Sequence, residues 1–312
     1  MFKKQTAAVP AEGEPPRTAL EKLLASTPVT MTIVATLMAG LSNSEMTRAQ
    51  YNRSLAAQQQ SKSGDQWSFF QAMRLRGSQL RANLQLLQAT AEVAPLDQDA
   101  LRQLAVGGGP GTNLTQALQV LAGGPLPVFT PAESAGPKIQ AVLAAVGAGQ
   151  PEEEIAKLME GVTPAALTTA IRIAQENSRG SERVLAPLTQ TVDQLEQNLA
   201  AQPLATREAI RPLWRSFISA HFRYDASRYD AESRSNRVLA ELYELQVRLS
   251  NSTAERHHLR SQRFFFGMLG AQAAVILASF AIAVQRRNLI WGFAALIGLG
   301  AVAFGVYVYL WI

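Results

Sequence analysis

The residues of this chain that could do chemistry are few, and their spacing suits little of it. The one histidine doublet is His257-His258, inside Glu255-Arg256-His257-His258-Leu259-Arg260. Neighbouring helical residues point about 100° apart, so both imidazoles cannot grip one ion, and the flanking arginines repel a cation. The Gly107-Gly108-Gly109-Pro110-Gly111 run is followed by Thr112 without a lysine; a phosphate loop needs both, at a helix start. It reads as a breaker or linker. The chain has no cysteine, which excludes disulfides, thiol nucleophiles and thiolate metal sites. No Ser–His–acid or paired-carboxylate pattern stands out. Asp225, Asp230 and Glu232 read as solvated or paired with nearby arginines. The expectation is a non-enzymatic protein without cofactor or metal.

What would position any site is a membrane anchor. From Phe264 to Ile312 the only charges are Arg286 and Arg287. A bilayer core of roughly 30 Å takes about 20 helical residues, so two transmembrane helices are expected, 264–284 and 289–312, joined by Gln285-Arg286-Arg287-Asn288. Trp291, Tyr307, Tyr309 and Trp311 stand at the ends of the second span, where amphipathic rings prefer to sit. A third span is expected at 28–44. No charge lies between Lys22 and Glu45, and a helix can turn Ser and Thr hydroxyls onto its own carbonyls. A signal peptide or an interfacial helix are the rival readings of that segment. Small residues recur at four-residue spacing: Thr32, Thr36 and Gly40; Gly270, Ala274 and Ala278; Ala294 and Gly298; Ala301 and Gly305. Such stripes let helices approach closely in lipid. The formal charge is +5, with arginines crowded beside the apolar segments. That suits anionic headgroups better than nucleic acid. Arg256, His257, His258, Arg260 and Arg263 form the expected headgroup collar.

Between the spans the chain reads as helix, and residues 1–27 as a disordered or amphipathic tail. Segment 45–94 carries a three-four alternation through Asn52, Ala56, Gln59, Ser63, Gln66, Phe70, Met73, Gly77, Leu80, Leu84 and Leu87, a heptad seam. Segment 205–263 carries another, from Trp214, Phe217, His221 and Tyr224 to Leu242, Leu245 and Leu249. Laid antiparallel at about 1.5 Å per residue, the two place Gln59 beside Arg248, Gln66 beside Glu241 and Leu84 beside Arg223. Segment 95–204 is broken by Gly and Pro into short helices, expected at 97–105, 113–121, 138–146, 151–159, 164–175 and 181–200. The fold class expected is therefore all-α. A long antiparallel two-helix stalk is anchored by three transmembrane helices and carries a small helical insertion at its distal end. The Leu242–Leu249 stripe then faces the polar Gln59–Gln66 stretch, and self-association is the expected remedy.

One patch remains: Gly64-Asp65-Gln66-Trp67, then Gln71-Ala72. With the His257-His258 doublet and the Arg286-Arg287 turn, it resembles an uncharacterised bacterial membrane-protein family classed as a domain of unknown function. That family carries an Asp/Asn-x-Trp-x-x-x-Gln-Ala segment after an N-terminal span, and a two-span hairpin at its C-terminal end. The resemblance covers roughly 28–90 and 230–312. It implies the architecture and no activity. Gln66, Trp67, Phe70, Gln71 and Gly77 are the expected helix-packing or partner contacts.

The functional expectation is a self-associating scaffold or tether in a bacterial inner membrane. Lys and Arg in short loops favour the cytoplasmic side, which puts the N-terminus and the Arg286-Arg287 turn there and the middle region in the periplasm. The expected partners are the lipid bilayer, further copies of the chain and an unknown protein. Two rivals are an oligomeric channel lined by the polar Asn52–Gln66 seam, and an accessory subunit or sensor reading the distal insertion.

Overall fold

A computed structural model describes residues 19–105, 112–127, 136–203, 208–284 and 287–311. The Gly107–Gly111 run, the extreme N-terminal tail and Arg286 lie outside them. Among the described residues there are eight helices and no strand: α1 (Ala19–Thr90), α2 (Gln98–Leu104), α3 (Thr112–Leu121), α4 (Pro137–Gly147), α5 (Glu152–Glu160), α6 (Pro164–Ala200), α7 (Arg211–Ala283) and α8 (Arg287–Trp311). The short helices start where the sequence signals a start. Asp97 caps α2 by accepting from the Asp99 and Ala100 amides, and Thr163 caps α6 by accepting from Ala166; each satisfies amides that the first turn leaves unpaired. Glu152, Glu153 and Glu154 fill the first turn of α5, where the helix dipole favours carboxylates. The segments 164–175 and 181–200 expected as two helices are one, with Pro187 inside it.

The chain forms two compact units. One comprises Leu55–Ser250, the other Met1–Ser54 with Asn251–Ile312. In the first, α7 runs antiparallel to α1 on one side and to α6 on another. Ser250 Oγ donates to Gln59 Oε1 at 3.0 Å, and Arg81 meets Asp230. These pairs lie within about one helical turn of the expected heights. The α1 seam turns inward as its periodicity requires, and Ala56, Gln59, Ser63 and Gly77 are buried. Two of its polar members are engaged by α7: Gln59 by Ser250, and Ser63, whose Oγ donates to the Ala240 carbonyl at 3.3 Å.

The insertion is not confined to the far end of a helix pair. Its helices line α7 in two clusters. Ile139 and Val142 of α4, Ile155 and Met159 of α5, and Leu167 and Ile171 of α6 close over Leu242, Leu245 and Leu249. The apolar stripe that called for a second copy is thus covered by the chain itself. The other cluster brings Leu101, Leu118 and Leu121 together with Leu188, Val192, Leu195 and Leu199 around Phe217 and Tyr224.

The second unit is packed the other way round. Its interior holds small side chains: Ala271, Ala274, Ala278 and Ala294 are fully buried, and Ala35 and Ala301 nearly so. Its surface carries large apolar ones, among them Ile33, Leu37, Phe266, Ile276, Phe293, Leu296 and Leu310. The glycines receive methionines. A Cβ on Gly298 would lie 2.7 Å from Met31 Sδ, and one on Gly267 2.9 Å from Met38 Sδ. Thr32, Thr36 and Gly40 face outward, so the expected small stripe of α1 is not its packing face. Ala35 and Met38 are. The Thr32 and Thr36 hydroxyls donate to the carbonyls of Pro28 and Thr32, four residues back. Two helical stretches are long and apolar enough to cross a membrane, one in α7 and one at Leu289–Trp311.

Candidate functional site

The expected contact patch on α1 packs inside the chain. Trp67 Nε1 donates to Glu244 Oε1 at 3.0 Å, and its ring meets Phe70 edge-on at 5.5 Å. Gly77 is buried where α1 meets α7: an added Cβ would stand 3.3 Å from Asp230 Oδ1 and 3.6 Å from the Ala226 carbonyl. These residues are helix-packing contacts. Gln71 is exposed. Trp67→Phe keeps the ring contact and drops the bond to Glu244. It is expected to cost about 1 kcal/mol, read as a lower urea midpoint with an unchanged slope.

Gln66 faces a groove of about 510 Å³ between α1, α6 and α7. Phe69, Met73, Leu185 and Leu239 supply its apolar wall; Gln175, Arg179, Glu182 and Glu232 supply polar groups. Gln66 Oε1 is buried without a hydrogen-bond partner. Burial pushes the Glu232 carboxyl above its usual range, with Glu182 adding to the effect and Arg228 opposing it.

The expected headgroup collar is corrected at its centre. His257 Nδ1 turns inward onto the Glu45 carboxylate of α1, which is nearly buried and also meets Arg48 at 3.2 Å. The Glu45 carboxylate thus sits between Arg48 of its own helix and His257 of α7. Arg256 stays exposed. His258 Nδ1 and Arg260 Nε are buried, and the His258 Nε2 contacts Gln262 at 3.0 Å. Arg263 is half-buried. One turn away, Ser42 and Ser261 exchange hydroxyl-to-carbonyl bonds of 2.9 Å, tying α1 to α7.

Among the described residues, one set of ionisable groups gathers on a histidine that its place in the α7 seam concealed. His221 projects between α7 and α6. Its Nε2 lies 3.3 Å from Asp225 Oδ2, one turn along α7, and its Nδ1 lies 3.5 Å from Glu196 Oε2 of α6. Asp193, one turn before Glu196, completes a group whose ligand atoms all fall within 4.8 Å of one another. Burial lowers the basicity of His221, but Asp225, Glu196 and Asp193 outweigh it and hold the pKa above the ordinary imidazole value. For Asp225, burial works upward, and His221 and Arg228 together pull its carboxyl below the usual range. Arg228 bridges Asp225 at 3.2 Å and Glu232 at 3.3 Å and lies 4.5 Å from the Tyr229 ring centre. The register is held by Thr189 and Tyr224, whose hydroxyls meet at 2.7 Å, and by Gln175 donating to Tyr243 at 2.8 Å. The expectation of no metal-ligating set rested on His257-His258 and missed His221. The available signal was Asp193-x-x-Glu196 and His221-x-x-x-Asp225, each pair on one helix face.

Comparison with known proteins adds one relationship. Neither curated proteins nor solved structures give a match to the chain. The matched segment takes in α1 from residue 23, with Trp67 and Gly77, and runs through α2. It covers the first stretch of the expected resemblance and not the second, at 230–312. Residues 23–106 match the model of an uncharacterised family, described as domain of unknown function DUF4337.

Proposed function

We propose that the protein is a non-enzymatic, multi-pass membrane tether. Its three apolar segments, 28–44, 264–284 and 289–311, cross the bilayer, and its helical unit Leu55–Ser250 is presented outside the bilayer to a protein partner. One observation carries this reading: the inverted packing of the second unit, with alanine and glycine inside and Phe, Leu and Ile outside. In water that surface would be unfavourable at roughly 25 cal/mol per Å². In lipid it is the solvated face, and close packing of small residues supplies the cohesion. The bonded-back hydroxyls of Thr32 and Thr36 support α1 as a span, since they leave no free donor facing lipid. Self-association and a channel vestibule lose their motives. The Leu242–Leu249 stripe is covered within the chain, and the polar α1 seam is engaged by α7. The membrane is taken to be a bacterial inner membrane, with Lys3, Lys4 and Arg286-Arg287 cytoplasmic.

Single cysteines at Ala7, Ser61 and Asn288 test this in a chain that has none of its own. With an impermeant maleimide on spheroplasts, Ser61→Cys is expected to label at once. Ala7→Cys and Asn288→Cys should label only after permeabilisation. Labelling of Ala7→Cys together with Ser61→Cys removes the first span; labelling of Asn288→Cys with them removes the hairpin. The mirror-image result keeps the spans and reverses the orientation.

A further inference from the structure

We propose that Asp193, Glu196 and His221 form a binding site for a divalent transition-metal ion, with zinc the best fit, and that Asp225 is the positioning residue for the imidazole. An imidazole whose Nε2–H points at the Asp225 carboxylate presents a bare lone pair at Nδ1. In that tautomer the bare Nδ1 faces Glu196 at 3.5 Å, with Asp193 beside it. Three acceptors facing one another repel unless a positive charge sits among them. Arg228 does not supply it, because its guanidinium bonds to Asp225 and Glu232 on the other side of the ring. Among the described residues neither Asp193 nor Glu196 pairs with a lysine or arginine.

The spacing also favours an ion. The 3.5 Å between Nδ1 and Oε2 is longer than an ordinary N–H···O bond. Two donors each about 2.1 Å from one tetrahedral ion stand about 3.4 Å apart. The donor set of one imidazole nitrogen and two carboxylate oxygens suits zinc or manganese better than calcium or magnesium, which take oxygen alone. Asp225 on the far nitrogen fixes tautomer and ring orientation, as outer carboxylates do for metal-bound histidines. All four residues stand on long helices held in register by Thr189 and Tyr224. The His221 side chain keeps 14% exposure and that of Glu196 40%, enough for an ion to enter and retain water at an open position.

The test is calorimetric titration of the full-length, EDTA-stripped protein in detergent with zinc chloride, and separately with manganese chloride. One zinc per chain is expected. Affinity should fall at least ten-fold in Glu196→Gln, and beyond detection in the Asp193→Asn/Glu196→Gln double variant. Asp225→Asn should weaken binding by about 10–100-fold without abolishing it. Glu176→Gln, on the same helix, and the His257→Gln/His258→Gln pair should bind as the parent does. Because Asp193 and Glu196 are on the surface side of the cluster, the double variant should keep its helical circular dichroism. Zinc should raise the melting temperature of the parent and not of the double variant, by mass action on the folded state. Absence of one-to-one binding by either metal overturns the proposal and leaves a proton on Nδ1 as the compensating charge. Binding that survives in the double variant, or that disappears with His257 and His258, overturns it equally.

Discussion

Phe217→Ala is expected to lower the stability of the Leu55–Ser250 unit by about 3–5 kcal/mol, as buried aromatic truncations do. Phe217 is 0% exposed, among Leu118, Leu121, Leu195 and Leu199. Its ring is flanked on its own helix by Trp214 at 6.5 Å and His221 at 5.7 Å. The cluster it belongs to draws on four helices, α2, α3, α6 and α7, so a cavity left there is lined from several sides. Domains of this kind are stable by about 5–15 kcal/mol, so the loss would be a large part of the total. The measurement is urea unfolding followed by near-ultraviolet circular dichroism of the full-length protein in detergent. Phe217→Leu, which refills most of the volume, should cost under about 1.5 kcal/mol. Near-equal values for the two would mean that the cluster does not close on this ring.

Leu245→Asp is expected to be the most damaging single change in the same unit. Leu245 is 1% exposed, and α4, α5 and the start of α6 lie over it. A carboxylate there would have to be protonated or drag water in. The unpaired buried charge costs several kcal/mol in practice. The expected result is displacement of α4 and α5 from α7, seen as new protease cleavage between Gly136 and Thr163 while α1 stays protected. A companion deletion of residues 137–162, bridged by a Gly-Ser linker, bares Leu242, Leu245 and Leu249 together. Each exposes about 1.5–3 kcal/mol worth of apolar side chain. That variant should gain mass by light scattering in detergent relative to the parent. An unchanged mass would show that α4 and α5 are not what keeps the stripe from other copies.

These two variants mark where sequence reasoning succeeded and where it stopped. The pairing of α1 with α7 was legible because both carry unbroken three-four alternations, and matching their heights placed Gln59 within two residues of its actual partner, Ser250. What covers Leu242–Leu249 was not legible. The apolar faces of α4 and α5 are only two or three residues wide, and nothing in such short faces states which partner they choose. The interruption expected near residues 176–180 follows from the same blindness. Gln175, Ser178, Arg179 and Ser181 break the apolar pattern, yet α6 continues through them, and they line the groove beside Gln66. His221 was counted as one step of a heptad. Its meaning depends on Asp193 and Glu196 of another helix, and only the register of α6 on α7 brings them within reach. The collar at Arg256–Arg263 failed at His257 for a related reason: Glu45, its partner, lies more than two hundred positions earlier in the chain.

The nesting of Met31 and Met38 against Gly298 and Gly267 has a consequence for biosynthesis. The N-terminal stretch of α1 emerges first, but the glycines that receive its methionines are made more than two hundred residues later. At about 5–20 residues per second, that is an interval of about 10–55 seconds. Throughout it, Met31 and Met38 lack the glycines they pack against. The order of synthesis therefore makes the closing of this unit a late event, one that must wait until Gly267 and Gly298 have been made.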